Sequence, residues 1–361
     1  MTRQVNFRAN FLEKICSSAG VEFAESLSAE AARKVLEDQI LKEESDVDLE
    51  KLAQFTLKYQ IPANRRVAIW KILLGISSCY AEAKTLINQH RKEEADMLLR
   101  SLQVMRKTSI GLTDPPFHED DLVSTVLAMI KLADSSVSLS ALAYNNPISI
   151  SQKSLSLIAK QVVRLCTNAS PWVNDYWLTL SLNKILSTSF DDNPNHLTSL
   201  VNDVRLHINN LDKFMQQRVY DLKSQSSFGV PRTRFLSDQK PKPNRQQQDA
   251  EISGLDNFKW FDQITDEVVR LFFRSGGSSW LSSEPLYRLW DKIIIGEAAG
   301  SILKVALMEL LTSLSQHISA GTLDTLVVEN EFHIEHHLSH EMQLKIVGHA
   351  IESVFRTGMF K

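Results

Sequence analysis

Polar and apolar positions alternate with the period of helices along most of the chain. From Leu49 to Leu57, the positions Leu49, Leu52, Ala53, Thr56 and Leu57 follow the i, i+3, i+4, i+7 spacing of a helix with one buried face. Ser45, Asp46 and Asp48 before them are start signals. In "IPANRRVAIWKILLG" (61–75), Pro62 suits a first helical turn, and Ile69, Ile72, Leu73 and Ile76 form the stripe. The pattern predicts further helices over 82–106, 119–142, 151–167, 173–188 and 196–222, and a polar helix with a thin apolar stripe over 28–44. Amphipathic order resumes at Phe258 in "NFKWFDQITDEVVRLFF", and "SGGSS" (275–279) is a turn. Ser283-Glu284-Pro285 opens a helix with Leu286, Leu289, Trp290 and Ile293 on one face. Gly296 and Gly300 separate it from 301–318, a segment apolar nearly all round and so central to the core. A last helix covers about 341–357. No stretch shows the sustained two-residue alternation of a strand, so the expected class is all-α.

Residues 223–257 break the pattern. They are polar, hold three prolines and a glutamine run, and have little to bury, which predicts a flexible insertion. The expected organisation is an N-terminal helical extension (1–45), a first helical part (46–222), the insertion (223–257) and a second helical part (258–361).

Composition adds exclusions. Of 361 residues 43% are apolar and 23% charged, ordinary values for a globular chain. A formal net charge of −3 gives no global field to attract nucleic acid or an acidic membrane. Cys16, Cys79 and Cys166 are scattered without metal-ligand spacing, which fits a reducing compartment. The N-terminus has no signal-peptide core, and the most apolar run, 301–314, contains Lys304 and Glu309 and is too short to span a bilayer. The expected location is cytoplasmic, with any membrane recruitment supplied by a partner.

Catalytic and cofactor motifs are missing. The chain has no phosphate-binding G-x-x-x-x-G-K-[ST], no G-x-G-x-x-G and no G-x-S-x-G, so no cofactor is expected. "HIEHHLSH" (333–340) would set His333, His337 and His340 on one helical face, with His336 nearby. It lacks H-E-x-x-H and a completing cysteine or carboxylate, so it reads as a solvated polar segment with no metal. Two arginine–tryptophan pairs stand out: Arg66 with Trp70, and Arg288 with Trp290 beside Asp291. A tryptophan buries a large apolar area, and an arginine stem can lie along it if its guanidinium is paired. Asp291 is a candidate partner for Arg288 or for Arg66, and the expected role is scaffold.

These pairs carry a resemblance. "IPANRRVAIWKILLG" resembles the opening signature of TBC domains, the helical domains of Rab GTPase-activating proteins, with Arg66, Trp70 and Gly75 in place. "LYRLWDKIIIG" resembles the late Arg-x-Trp-Asp signature of the same family. "NFRANFLEKICSSAGVE" (6–22), "DLEKLAQFTLKYQIP", "VNDYWLT" and "LWDKIIIGEAAGSILKVALMELLTS" are similar to the branch that forms the small third subunit of the tuberous sclerosis complex. The resemblance implies two helical lobes.

It also implies where chemistry should sit. An active member supplies an arginine from Ile-x-x-Asp-x-x-Arg to neutralise charge on the transferred phosphoryl group, and a glutamine from Tyr-x-Gln-Gly to orient water; arginine fingers contribute on the order of 10³–10⁵ in rate. Here "LLRSLQVMRKTS" stands in the first place. Arg106 aligns with the finger, with Gln103 for the aspartate and Arg100 for the isoleucine. "ITDEVVR", ending at Arg270, lies in the wrong part of the chain, and no Gln-Gly dipeptide occurs; the nearest tyrosine, Tyr144, has no glutamine after it. The implied function is therefore a non-catalytic subunit that binds the coiled coil of hamartin, beside tuberin as activator of Rheb, and so restrains target-of-rapamycin complex 1. Two alternatives stay open: an active Rab GTPase-activating protein using Arg106, with a small GTPase as its partner, and a helical adaptor for another coiled coil.

Overall fold

The structure is a computed structural model that describes residues 46–58, 60–108, 110, 118–134, 150–166, 171–190, 194–226, 261, 264–296, 299–319 and 338–356. Among these there are eleven α-helices and no β-strand, so the fold is all-α as the periodicity requires. They are α1 (Leu49–Lys58), α2 (Ala63–Leu73), α3 (Ala81–Val104), α4 (Glu119–Ala133), α5 (Ile150–Cys166), α6 (Pro171–Phe190), α7 (Pro194–Ser226), α8 (Asp266–Arg274), α9 (Ser283–Ile293), α10 (Ala299–Ser319) and α11 (His340–Arg356). The chain divides into two compact units, Met1–Ser101 and Leu102–Lys361. That division falls inside α3 and at none of the boundaries read from composition.

In the first unit, α1 packs on α2. Asp48 caps α1: its Oδ1 accepts from Lys51 N (3.1 Å), and this bond holds the carboxyl below its ordinary range. Asp46 reaches further and accepts from Ala81 N (2.9 Å), satisfying a donor of the first turn of α3. Leu52, Phe55, Ile61, Ile69 and Trp70 are almost completely buried. Helix α2 stops at Gly75, whose φ of 68° only glycine adopts without strain. Gly75 N donates to Ile72 O and Ile76 N to Lys71 O, the two bonds of a glycine-terminated helix end.

In the second unit, α10 packs against α6, α7, α8, α9 and α11. Ile302, Leu303, Ala306, Leu307, Leu310, Leu311 and Leu314 are wholly buried, so the segment apolar all round is central, as expected. Helices α4, α5 and α6 form a mutually packed set, and α8 joins it through α5 and α6. Phe272 and Phe273 of α8 stack into a cluster with Phe190 and Trp280 at centroid distances of 5.7–6.0 Å.

Several boundaries differ from the sequence reading. Helix α4 ends at Ala133, where Asp134 turns extended; the remainder of the expected helix, 135–142, lies outside the described residues. Helix α7 runs to Ser226, so residues 223–226, assigned to the insertion, are helical. The rest of the insertion, 227–257, and the extension 1–45 lie outside the described residues. Helix α8 begins only at Asp266, because Thr265 accepts from Val268 N (3.4 Å) and fixes the start there. Gly300 is not a break. It lies in the first turn of α10, and a Cβ there would come within 2.8 Å of His196 Cε1 and 3.1 Å of Leu200 Cδ1, so its role is close approach to α7.

Candidate functional site

Two candidate functions meet on α3: a docking face along the helix and the arginine just past its end. The helix is polar overall, and Ala95 and Leu99 lie on its buried side. At about 100° per residue, Leu86 and Met97 project from the opposite side, within about 20° of each other. They are 73% and 61% exposed, large values for side chains of this size. Exposed His90, Glu93 and Arg100 flank them, and Arg91–Glu94 (3.5 Å) and Gln89–Glu93 (2.7 Å) pair beside the row. Val104 closes the helix with 84% exposure. Leu86 and Met97 stand about 16 Å apart along this outward row, with exposed His90 and Glu93 between them, and neither is needed for the buried stripe that folds the helix.

Arg106 sits two residues beyond α3 with a φ of 55°, the one non-glycine positive φ among the described residues. Its N–H donates to Gln103 O (2.9 Å), and Lys107 N donates to Leu102 O (2.9 Å). These are the same two bonds that Gly75 makes at the end of α2. Arg106 thus occupies the left-handed position that closes a helix, where a side chain costs about 1–2 kcal/mol. Its side chain is exposed. Gln103, which stands where an aspartate would precede a finger, donates instead to Ile110 O (2.8 Å) and ties the turn to the chain beyond it.

Of the signature residues, Arg66, Trp70, Trp290 and Asp291 are buried, whereas Gly75 is exposed and Arg288 partly so. Arg66 and Trp70 are completely buried on α2, and Arg66 Nη2 donates to Ile61 O (3.4 Å), across the entry to the helix. Trp290 is completely buried on α9, and Asp291 beside it is 1% exposed. Arg288 is part-exposed, and its Nε donates to Glu284 Oε1 (3.5 Å), one turn back. Trp290 Nε1 donates to Gly276 O (2.9 Å). Gly276 has a φ of 62°, and a Cβ there would meet that same nitrogen at 2.8 Å. Gly276 N and Gly277 N donate to Phe273 O (3.0 Å) and Phe272 O (2.8 Å), so the "SGGSS" turn ends α8 against the late tryptophan.

Of the histidine-rich segment, 333–337 lies outside the described residues. His340 opens α11, and its Nδ1 lies 3.2 Å from Ser282 Oγ. Among the described residues no group of His, Cys, Asp and Glu is placed to hold a metal ion. Among them also, no helix is long and apolar enough to cross a membrane.

Sequence reasoning missed two polar features. Gln343 is wholly buried on α11, accepts from Ser282 N (3.0 Å) and Oγ (2.9 Å), and donates to Leu338 O (3.0 Å), locking α11 onto the start of α9. Asp175 on α6 is also buried, and burial pushes its carboxyl up to about 8. Nothing local in "VNDYWLT" distinguishes this aspartate from a surface one. The α3 row was legible in principle: Leu86 and Met97 fall off the stripe that contains Ala95 and Leu99.

No family model matches the chain. TBC1 domain family member 7 of Danio rerio is 32% identical over 103 residues, 28% of this chain and 31% of that protein. The protein of the same name from Bos taurus is 33% identical over 106 residues, 29% of this chain and 32% of that one. The Homo sapiens one is 26% identical over 189 residues, 52% of this chain and 56% of that one. The chain thus matches about a third of the length of the first two relatives and about half of the third. Among solved structures, the Ypt/Rab-GAP domain of Gyp1p aligns over 88% of this chain and 95% of its own, with 12% identity and a TM-score of 0.43.

Proposed function

We propose that this chain is a TBC-type helical subunit that works by binding a coiled coil rather than by catalysing GTP hydrolysis. The observation that carries the reading is the outward apolar row of Leu86 and Met97 on α3, a helix already anchored by an opposite buried face. A long helix with a second apolar row and flanking charges of both signs suits side-by-side packing with another amphipathic helix. The similarity to proteins named TBC1 domain family member 7 points to the partner that the resemblance implies, the C-terminal coiled coil of hamartin in a complex with tuberin. In that complex tuberin would activate Rheb's GTPase and restrain target-of-rapamycin complex 1, with this chain as a cytoplasmic scaffold brought to lysosomal or vesicle membranes by its partners.

Arg106 supports the non-catalytic half of the reading. Its backbone closes α3, and the residue in the place of the finger motif's aspartate, Gln103, is committed to the backbone of Ile110. The alternative, an active Rab GTPase-activating protein, rests on the exposure of the Arg106 side chain. Co-purification with a hamartin C-terminal coiled-coil fragment tests the first reading, and single-turnover GTP hydrolysis across a Rab panel tests the second. A stable complex with no acceleration of hydrolysis is expected. A folded protein that ignores the fragment and accelerates one Rab through Arg106 overturns the proposal.

A further inference from the structure

The least explained polar group in the fold is Asp175. It lies near the start of α6, at 1% exposure, where α4, α5, α7, α8 and α10 pack against that helix. Neither carboxylate oxygen has a hydrogen-bond partner within standard geometry. Thr179, one turn further on the same helix face, is completely buried, and its Oγ1 has none either. Among the described residues the Cys166 thiol, from the last turn of α5 and itself 2% exposed, is the one titratable neighbour that acts on the carboxyl, as a weak sulfur donor that favours the charged form. Among the described residues no charged side chain offsets the burial. A carboxylate so placed, with only a weak thiol donor beside it and no cation, is far too costly to hold ionised.

We infer that the α5–α6 seam is a proton-operated latch: Asp175 packs into the core as the neutral acid, and loss of its proton opens the seam around Cys166. The sign follows from linkage. The folded carboxyl titrates at about 8 and the unfolded one at 3.8. Between these values the closed seam holds a proton that the open one releases, so opening becomes easier as pH rises through the window, and levels off above it. Near neutral pH the latch lies on the steep part of that dependence, so a small alkaline drift loosens α6, while mild acid tightens it.

Cys166 reports on the seam directly. In a Cys16→Ser/Cys79→Ser background, its rate of modification by a thiol reagent is measured from pH 5 to 9. Each rate is divided by that of the urea-unfolded chain at the same pH, which removes the thiol's own ionisation. Protection should fall with pH, by up to tenfold per unit, to about pH 8 and then flatten. In Asp175→Asn it should be independent of pH. A flat profile in the parent, or an equal slope in the Asn variant, overturns the inference. If Asp175→Asn does not fold, the carbon-13 carboxyl resonance of Asp175 in the parent decides the matter: a midpoint above 7 supports the latch and one near 4 refutes it.

Discussion

Arg106→Gly is expected to stabilise the protein. The residue has a φ of 55° and supplies the N–H that closes α3 onto Gln103 O. An L side chain in this conformation costs about 1–2 kcal/mol, which glycine avoids. Glycine gives back about 0.5–1 kcal/mol through the freer unfolded chain. The Arg106 side chain is exposed, where an ion pair contributes little that would offset the gain. The net is about 0.5–1 kcal/mol of stabilisation, which for a chain of this size raises the melting temperature by about 1–4 °C. Urea unfolding gives the difference: the midpoint should rise with an unchanged slope. Arg106→Ala, which keeps a Cβ at the left-handed position, should gain nothing. The same pair of variants bears on function, since both delete a guanidinium. If Arg106 were a finger, both would lose on the order of 10³-fold or more in stimulated hydrolysis. A destabilisation of about 1 kcal/mol or more in Arg106→Gly would show instead that the side chain holds stabilising contacts.

Other sites give smaller tests. Gly276→Ala forces a Cβ to 2.8 Å from Trp290 Nε1 at a left-handed position, so it should cost roughly 3 kcal/mol from strain plus a compromised hydrogen bond, seen as a lower urea midpoint. Arg66→Ala removes a fully buried side chain and leaves Ile61 O short of a donor; a loss of about 3 kcal/mol or more is expected, with little change in any binding activity once the protein is kept folded by working at low temperature. His207 lies between α7 and α10, with Nε2 3.1 Å from Met308 O and 3.0 Å from Thr312 Oγ1. Burial lowers its pKa below 6.5, so the unfolded chain binds the proton first and stability should decline as pH falls below about 6.5; His207→Gln should flatten that part of the curve.

The sequence made the helical class readable because each helix carries its own period and its own ends. Asp48, Pro62, Gly75 and Ser283 are local signals, and the structure puts helix boundaries at or beside each of them. Gly300 misled because glycine has two physical uses, and only the neighbour His196 tells a close approach from a break. Arg106 has two readings along the chain, as the last residue of the helix expected over 82–106 and as the finger of the alternative function. The periodicity ends near it, and its dihedral shows how it closes the helix. The buried status of Arg66 and Trp70 followed from their place on the apolar side of a strong helix. That of Asp175 could not, because it depends on five other helices arriving around α6.

The central claim is that α3 offers a docking face, and one titration tests it most directly. A hamartin C-terminal coiled-coil fragment is titrated calorimetrically into the parent chain and into Leu86→Glu/Met97→Glu. Because both side chains are mostly exposed, the double variant should keep its stability to within about 0.5 kcal/mol. The parent should bind and the variant should bind at least 100-fold more weakly, about 2.7 kcal/mol at two exposed residues. Equal affinity for both proteins, or no binding by a folded parent, would contradict it.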